Sequence, residues 1–469
     1  MALTQFSPGV VTIENEQPII NNTPILVGAA IIGPTTKGPV EIPTIITSYS
    51  EYLAKYGNTF TSGSQVYSYL TSISAYNYFQ NGGDTLLVTR VTSGSFTEAT
   101  SSTIASDDTF VVDGYVVDDY FIVGSGLDSF VLETFSEGVI MNSTSDINPD
   151  GSLPSGSEDN LRWQITSPDI DTGTFTLLIR RGNDDTNSPV VLETWTNLSL
   201  DPVNSNYIEK IIGNQAESIM QDGSEYYVDI TGNFSNQSNY VRVKQVNTPT
   251  PDYLDNQGDP KSEYTSSIPS AQIGDFGGAI GSNIPVTAGN YYGNIDNSNT
   301  QGLIATDYDQ SIALLANTDE FKYNYITVPG LIKDFASHSS TVSTLVANCQ
   351  ERGDTFAVID LTAYQANTLE VTNEAKSINN SYAAAYWPWV QTLDPFTAQQ
   401  IWTPASTLIP GVYAFNDASA EVWSAPAGTA RGVMSTAIRA ERKLSKTTRD
   451  DLYKANVNPI ATLQNTGIT

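Results

Sequence analysis

Apolar residues follow two rhythms along this chain, and the rhythm changes twice. Ile25–Ile32 is an unbroken apolar run of strand length between Pro24 and Gly33-Pro34, which predicts a buried strand. Ser48-Tyr49-Ser50-Glu51 has capping-box spacing and opens a short helix that Gly57 closes. A second helix is predicted over Ser64–Gln80, with Val66, Tyr69, Leu70, Ile73 and Tyr76 on one face and Asn81-Gly82-Gly83 at its end. Thr85–Val91 reads as another strand. Upstream of all this, Val10-Val11-Thr12-Ile13 is extended but has no adjoining hairpin partner. It is either the edge strand of a distant sheet or an arm for a neighbouring molecule.

From about Ser93 the period shortens to two. Alternating runs recur between Gly, Asn and Asp clusters at Thr109–Val112, Tyr115–Val123, Phe130–Thr134, Arg162–Thr166, Thr174–Arg180, Val190–Trp195, Tyr226–Ile230 and Tyr240–Val246. Strands at that spacing predict a β-sandwich or barrel. Residues 247–300, rich in Asn, Gly, Pro and Ser, read as a long irregular connection. The helical rhythm then returns. Tyr323–Val328 is a strand ending at Pro329-Gly330, and a helix runs to about Glu351 with Val342, Leu345, Val346 and Cys349 inward. Thr355–Ile359 is a strand, Thr362–Ile378 a helix and Tyr382–Val390 a strand. Pro404 suits a first helical turn, whereas Pro410 is expected to bend or shorten that helix. The simplest fold class is multidomain, α/β plus β. Residues 21–96 and 300–430 form one discontinuous α/β core, residues 97–299 an inserted β-rich domain, and residues 1–20 and 431–469 separate terminal segments.

At 469 residues the chain exceeds one hydrophobic core, in agreement with two to four domains. Only 15% of residues are charged, yet the formal net charge is −30. Residues 97–260 hold 27 Asp+Glu against 6 Lys+Arg, whereas residues 431–469 hold 7 Lys+Arg against 3 Asp+Glu. An acidic surface of this kind repels phosphate backbones, which argues against direct nucleic-acid binding. No apolar stretch approaches the roughly 20 residues of a membrane span, so no membrane insertion is expected, and no signal peptide is seen. The single cysteine, Cys349, excludes an intrachain disulfide.

Candidate chemistry is sparse. His338 is the only histidine and reads as a solvated helical residue. One His and one Cys exclude a nitrogen- or sulfur-rich metal site, and nothing around them forms a nucleophile signature. The segment Gly33–Gly38 has a lysine but not the spacing of a phosphate loop, and Pro34 and Pro39 remove amide donors. Neither catalytic residues nor a cofactor is expected. Asp118-Asp119 and Asp184-Asp185 read as solvated turn charges, with a weak calcium site as the other reading. Arg352-Gly353-Asp354 serves a helix end rather than adhesion, and Trp387-Pro388-Trp389 reads as buried packing rather than a sugar platform.

Several segments in order carry a resemblance: Ser7-Pro8-Gly9-Val10, the turn Gly33-Pro34-Thr35-Thr36-Lys37-Gly38-Pro39-Val40, Asn81-Gly82-Gly83, Thr327-Val328-Pro329-Gly330, Pro410-Gly411-Val412-Tyr413, Trp423–Gly432 and Val457-Asn458-Pro459-Ile460. Together they resemble the contractile bacteriophage tail sheath proteins. The resemblance implies a non-enzymatic subunit that assembles helically around a tail tube and contracts to drive the tube through the host envelope. It also implies homo-oligomeric, tail tube, baseplate and tail terminator partners, in a virion tail assembled in the host cytoplasm. Sheaths of phage-tail-like bacteriocins and of other contractile injection machines fit equally; an extracellular β-rich adhesin or carbohydrate-binding protein is the rival from another class. Within the resemblance, Val10, Val11, Thr12 and Ile13 match an arm that adds a strand to a neighbour. Residues 97–299 correspond to the family's variable outer domain. Family members continue past Val457–Ile460, so residues 431–469 are expected to begin an incomplete inner domain. Arg431, Arg439, Arg442, Lys443, Lys446, Arg449 and Lys454 would then face the tube.

Overall fold

The computed structural model describes residues 26–62, 65–105, 128–143, 157–185, 188–223, 225–282, 295–420, 423–463 and 467–469. The expected runs Thr109–Val112 and Tyr115–Val123 lie outside them, as do Val10–Ile13 and Asp118-Asp119.

The unbroken apolar run becomes the strand Leu26–Gly33, in the middle of a seven-stranded sheet. On one side it pairs in parallel with Leu86–Arg90, which in turn pairs antiparallel with Thr44–Ile46. On the other side, parallel neighbours follow as Lys322–Ile332, Phe356–Asp360, Ala383–Trp387 and Asn458–Pro459. A parallel sheet is covered on both faces, which is why this strand has no polar alternation. Ala30 and Ile32 face a core layer with Val342, Leu345, Val346 and Cys349 from the helix Ala336–Arg352. Ala29 and Ile31 face the opposite layer, with Tyr52 and Tyr56 from the helix Tyr49–Tyr56, Tyr78 from the helix Leu70–Gln80, and Ile409 and Val412 from the helix Ile409–Ser419.

Local signals set several boundaries as expected. Ser48 caps its helix by accepting the Glu51 amide, and Gly57 closes it. Other boundaries move. The helix expected over Ser64–Gln80 begins only at Leu70, because Gln65–Ser68 pairs with Thr59–Ser62 as a hairpin. The buried Ser68 hydroxyl donates to Asp394 at 2.7 Å, and the Leu70 amide finds Gln301 Oε1 at 2.7 Å. The strand expected to stop at Pro329-Gly330 runs on to Ile332. Its ladder is interrupted there, and Gln301 and Thr300 donate to the Pro329 and Gly330 carbonyls. The helix expected from Thr362 starts at Thr368, where Asn367 and Glu370 form a complete capping box. Tyr382–Val390 divides at Pro388. Its second part, Val390–Leu393, sits between Gln400–Thr403 and Ala437–Ala440 in a separate sheet. Pro410 lies in the first turn of Ile409–Ser419, so it starts that helix instead of bending it.

Between residues 98 and 279 the architecture is β-rich. Leu161–Asp169, Thr174–Arg181 and Val191–Ser199 form an antiparallel meander. Gln272–Asp275, inside the stretch expected to be irregular, adds to its edge. A second sheet holds Glu98–Ile104, Asp128–Glu137 and Val241–Val246. The two enclose one apolar cluster running from Ala99 to Ala279, with Phe130 stacked on Phe175 at 5.6 Å. Residues 431–469 return to the α/β layers: Leu444, Leu452 and Val457 enter one, and Met434, Ala440, Ile460 and Ile468 the other.

One buried acid lies at the end of the strand Phe356–Asp360. Asp360 Oδ1 accepts the Ser406 amide at 3.1 Å and its other oxygen accepts the Ser406 hydroxyl. Burial pushes its carboxyl up to about 7, against the lowering effect of those bonds. The native state therefore holds a proton that the unfolded chain has released, and stability falls as pH rises from about 4 towards 7. D360N removes this dependence. Thermal unfolding between pH 4.5 and 7.5 should show a flatter profile for D360N, with the gain over wild type largest above pH 7 and on the order of a few kcal/mol.

Candidate assembly and junction sites

The turn Gly33–Val40 leaves the end of the central strand and meets the β-rich region. Gly38 is built for this place: at φ 113° a Cβ would fall 2.5 Å from the Tyr56 ring. Its amide donates to Ser136 Oγ at 2.7 Å, and the Val40 amide reaches Glu137 Oε1 at 3.3 Å. The Arg90 guanidinium, fully buried, ties the two sides together. Arg90 Nη1 donates to the Gly38 carbonyl at 2.6 Å and to the Glu137 carbonyl at 3.0 Å, and the group lies 5.2 Å from the Phe96 ring centre. Lys37 pairs with Asp159 at 3.6 Å across the same junction. Burial lowers the Lys37 ammonium and raises the Asp159 carboxyl, each opposed by the other's charge. A cavity of about 270 Å³ opens beside this seam, lined by Lys37, Glu98, Glu137, Glu217 and Arg242 among others. A second polar contact joins the regions where Glu320 accepts the Val228 amide and Asn317 donates to the Tyr226 carbonyl.

The seven basic residues singled out near the end are brought into one neighbourhood only in part. Arg439 and Arg442 are anchored: Arg439 Nε donates to Gln391 at 2.7 Å and stacks over Trp402, while Arg442 pairs with Glu441 and stacks over Trp387. Lys446, Arg449 and Lys454 belong to the helix Lys446–Lys454, which Ser445 caps and Leu452 anchors. Lys443 and Lys446 are exposed, Arg449 is half-buried, Lys454 lies 4.0 Å from Asp451, and Arg431 is exposed on a short turn. On that helix Tyr453 is largely exposed, an apolar neighbour that charge counting misses.

The remaining sequence candidates are structural. His338 is buried, not solvated: Nδ1 accepts the Ile332 amide at 3.1 Å and burial lowers its pKa. Phe335 packs edge-on against its ring. Arg352 holds Asp354 at 3.0 Å, donates to the Leu315 and Phe321 carbonyls, and lies over Tyr323, while Gly353 is the left-handed helix cap. Trp387 and Trp389 are buried. Asp184 is not a solvated turn charge, because Arg180 and Arg162 bury it at 2.7 and 3.4 Å. Among the described residues no group of three or more His, Cys, Asp or Glu side chains is placed to hold a metal ion, and no helix is long and apolar enough to cross a membrane.

Residues 301–468 match the family model described as the phage tail sheath protein central domain. Over these residues the chain is similar to the phage tail sheath proteins. The matched stretch holds four of the seven strands of the central sheet, Lys322–Ile332, Phe356–Asp360, Ala383–Trp387 and Asn458–Pro459. Among solved structures, a sheath tail protein from Listeria innocua is 10% identical, covering 95% of this chain and 68% of that one with a TM-score of 0.48. A sheath tail protein from Desulfitobacterium hafniense is 9% identical, covering 98% and 73% with a TM-score of 0.39. The contracted helical sheath of the anti-feeding prophage is 23% identical over 35% of this chain and 42% of that one, with a TM-score of 0.28. No curated protein sequence matches.

Arg90 should dominate the stability of the junction. R90M keeps the apolar stem but leaves the Gly38 and Glu137 carbonyls without their donor. Each lost bond to a charged group is worth about 1.5–3 kcal/mol, so a loss of about 3 kcal/mol or more is expected. Equilibrium urea unfolding of R90M beside R352K, which retains a cation at a helix end, measures this. The R90M midpoint should fall further.

Proposed function

We propose that this chain is the structural subunit of a contractile tail sheath, which assembles helically around a tail tube and shortens to drive the tube through a host envelope. The observation that carries this reading is the sheath central-domain match over residues 301–468. In this reading the work is done by stored conformational energy, with no bond chemistry. The chain divides into an arm at residues 1–20, an α/β core at 21–96 and 300–430, an outer β-rich domain at 97–299 and a tube-facing segment from 431. Its partners are further copies of itself, the tail tube protein, and baseplate and terminator proteins, within a virion tail assembled in the bacterial cytoplasm.

Charge supports the orientation. The 27 acidic residues against 6 basic ones between 97 and 260 suit a surface left in water, since dense packing of like charge without cationic partners is costly. The exposed Lys443 and Lys446 suit an acidic tube wall. Val10–Ile13 would supply a strand to a neighbouring copy, where main-chain hydrogen bonds persist while side-chain contacts change.

Mixing the chain with its cognate tube protein tests the reading. Negative-stain microscopy should show ordered sleeves around tubes, and the double variant K443E/K446E should reduce tube decoration, most strongly at low salt. Absence of any ordered sleeve would contradict the sheath reading. Undiminished decoration by the double variant would leave the sheath reading standing but remove the tube-facing role of these lysines.

A further inference from the structure

We propose that Glu137 makes the seam between the α/β core and the β-rich region a proton-controlled joint, closed when its carboxyl is protonated and loosened when it is ionised. The geometry places this side chain at the joint itself. Its carboxyl accepts the Val40 amide, its own carbonyl accepts Arg90, and its amide lies 3.4 Å from the Gly38 carbonyl. One residue thus makes two direct contacts with the turn Gly33–Val40 and accepts the Arg90 bond that ties the turn to the end of the strand Asp128–Glu137. The cavity of about 270 Å³ beside it gives water a route in once the contact opens.

Among the described residues no cation forms an ion pair with this carboxylate, and Arg90 and Arg242 act on it only at a distance. Arg90 spends its near nitrogen on two carbonyls. On the strand Val241–Val246, Arg242 is bonded to Glu98 at 2.8 Å and to Glu133 at 2.7 Å, and Lys244 takes the other oxygen of Glu133 at 2.7 Å. In the turn, Lys37 faces Asp159, with Glu158 nearby. On the helix Tyr49–Tyr56, Lys55 is held by Glu51 at 3.1 Å. The strand Ala216–Asp222 adds a further acid, Glu217, itself raised by burial. Burial first, then the Glu98 charge, push the Glu137 carboxyl from 4.5 up to about 7, against the lowering effects of the Val40 amide, Arg90 and Arg242.

The direction follows from linkage. The closed seam binds a proton that a solvated Glu137 releases, so opening becomes easier as pH rises from about 5 and levels off above about 7. In the rising part, the opening constant increases by about tenfold per pH unit.

Amide hydrogen exchange on the full chain, corrected for the intrinsic effect of pH, reads the joint directly at Gly38, Val40 and Glu137. Wild type should lose protection there by at least tenfold between pH 5 and 7 and no further by pH 8.5. E137Q should show protection that is independent of pH over this range. E98Q keeps Glu137 but removes its acidic neighbour, so its loss of protection should level off at a lower pH than in wild type. Flat protection in wild type would overturn the proposal. So would an E137Q profile with the wild-type step, or an E98Q profile that levels off where wild type does.

Discussion

The arrangement depends on one buried guanidinium. Arg90 ends a central strand, has no exposure to water, and cannot give up its charge at any ordinary pH. Removing such a group from water is costly unless its protons are met, and here carbonyl oxygens meet them. Those carbonyls belong to Gly38 and Glu137, almost a hundred residues apart. The turn that leaves the first strand and the strand that returns from the β-rich region are therefore fixed by a single side chain. Carbonyls serve better than a carboxylate would, because they come with the main chain and set the backbone directly. Phe96 closes the remaining face of the group by cation–π contact.

Much of the α/β core was legible because its strands carry continuous apolar runs and its helices carry their caps in the sequence. Ser48 with Glu51, Gly57 and Gly353 did what their residue types dictate. The errors have equally local causes. Gln65–Ser68 fits both helical and strand periods, and only its hairpin partner Thr59–Ser62 decides between them. Asn367 with Glu370 repeats the capping signal of Ser48 and marks the helix start at Thr368, a signal that the expected start at Thr362 did not use. The seam was half visible. Gly33–Val40 stood out as a motif, but nothing in the spacing connects it to Arg90, Ser136 or Glu137. Contacts at such separation have no periodic signature.

Charge placement has a similar split between what composition shows and what packing uses. Of the six basic residues between 97 and 260, Arg162, Arg180, Arg242 and Lys244 form ion pairs within the β-rich region. Arg162 and Arg180 share the buried Asp184, and Arg162 also bonds Asp275 at 3.1 Å. The cations are thus spent on internal order, and the excess of acid is carried by the side chains that remain. Near the end of the chain the balance reverses, with Arg439 and Arg442 held over tryptophans while Lys443 and Lys446 stay exposed.

The character of the seam decides what can move. Each face of the central sheet is an apolar layer, and separating such layers would expose side chains at roughly 25 cal/mol for every Å² uncovered. The β-rich region has its own apolar cluster, which shares no residue with either layer. What joins the two is mostly polar: Arg90 to two carbonyls, Gly38 to Ser136, Val40 to Glu137, Lys37 to Asp159, and Glu320 to Val228. Water can replace such bonds when they open, so each neutral bond costs about 1 kcal/mol net and each bond to a charged group about 1.5–3 kcal/mol. A rigid-body displacement of the β-rich region is therefore far less costly than any rearrangement within the sheet. A polar joint between two closed apolar cores therefore lets one region shift while the other stays folded.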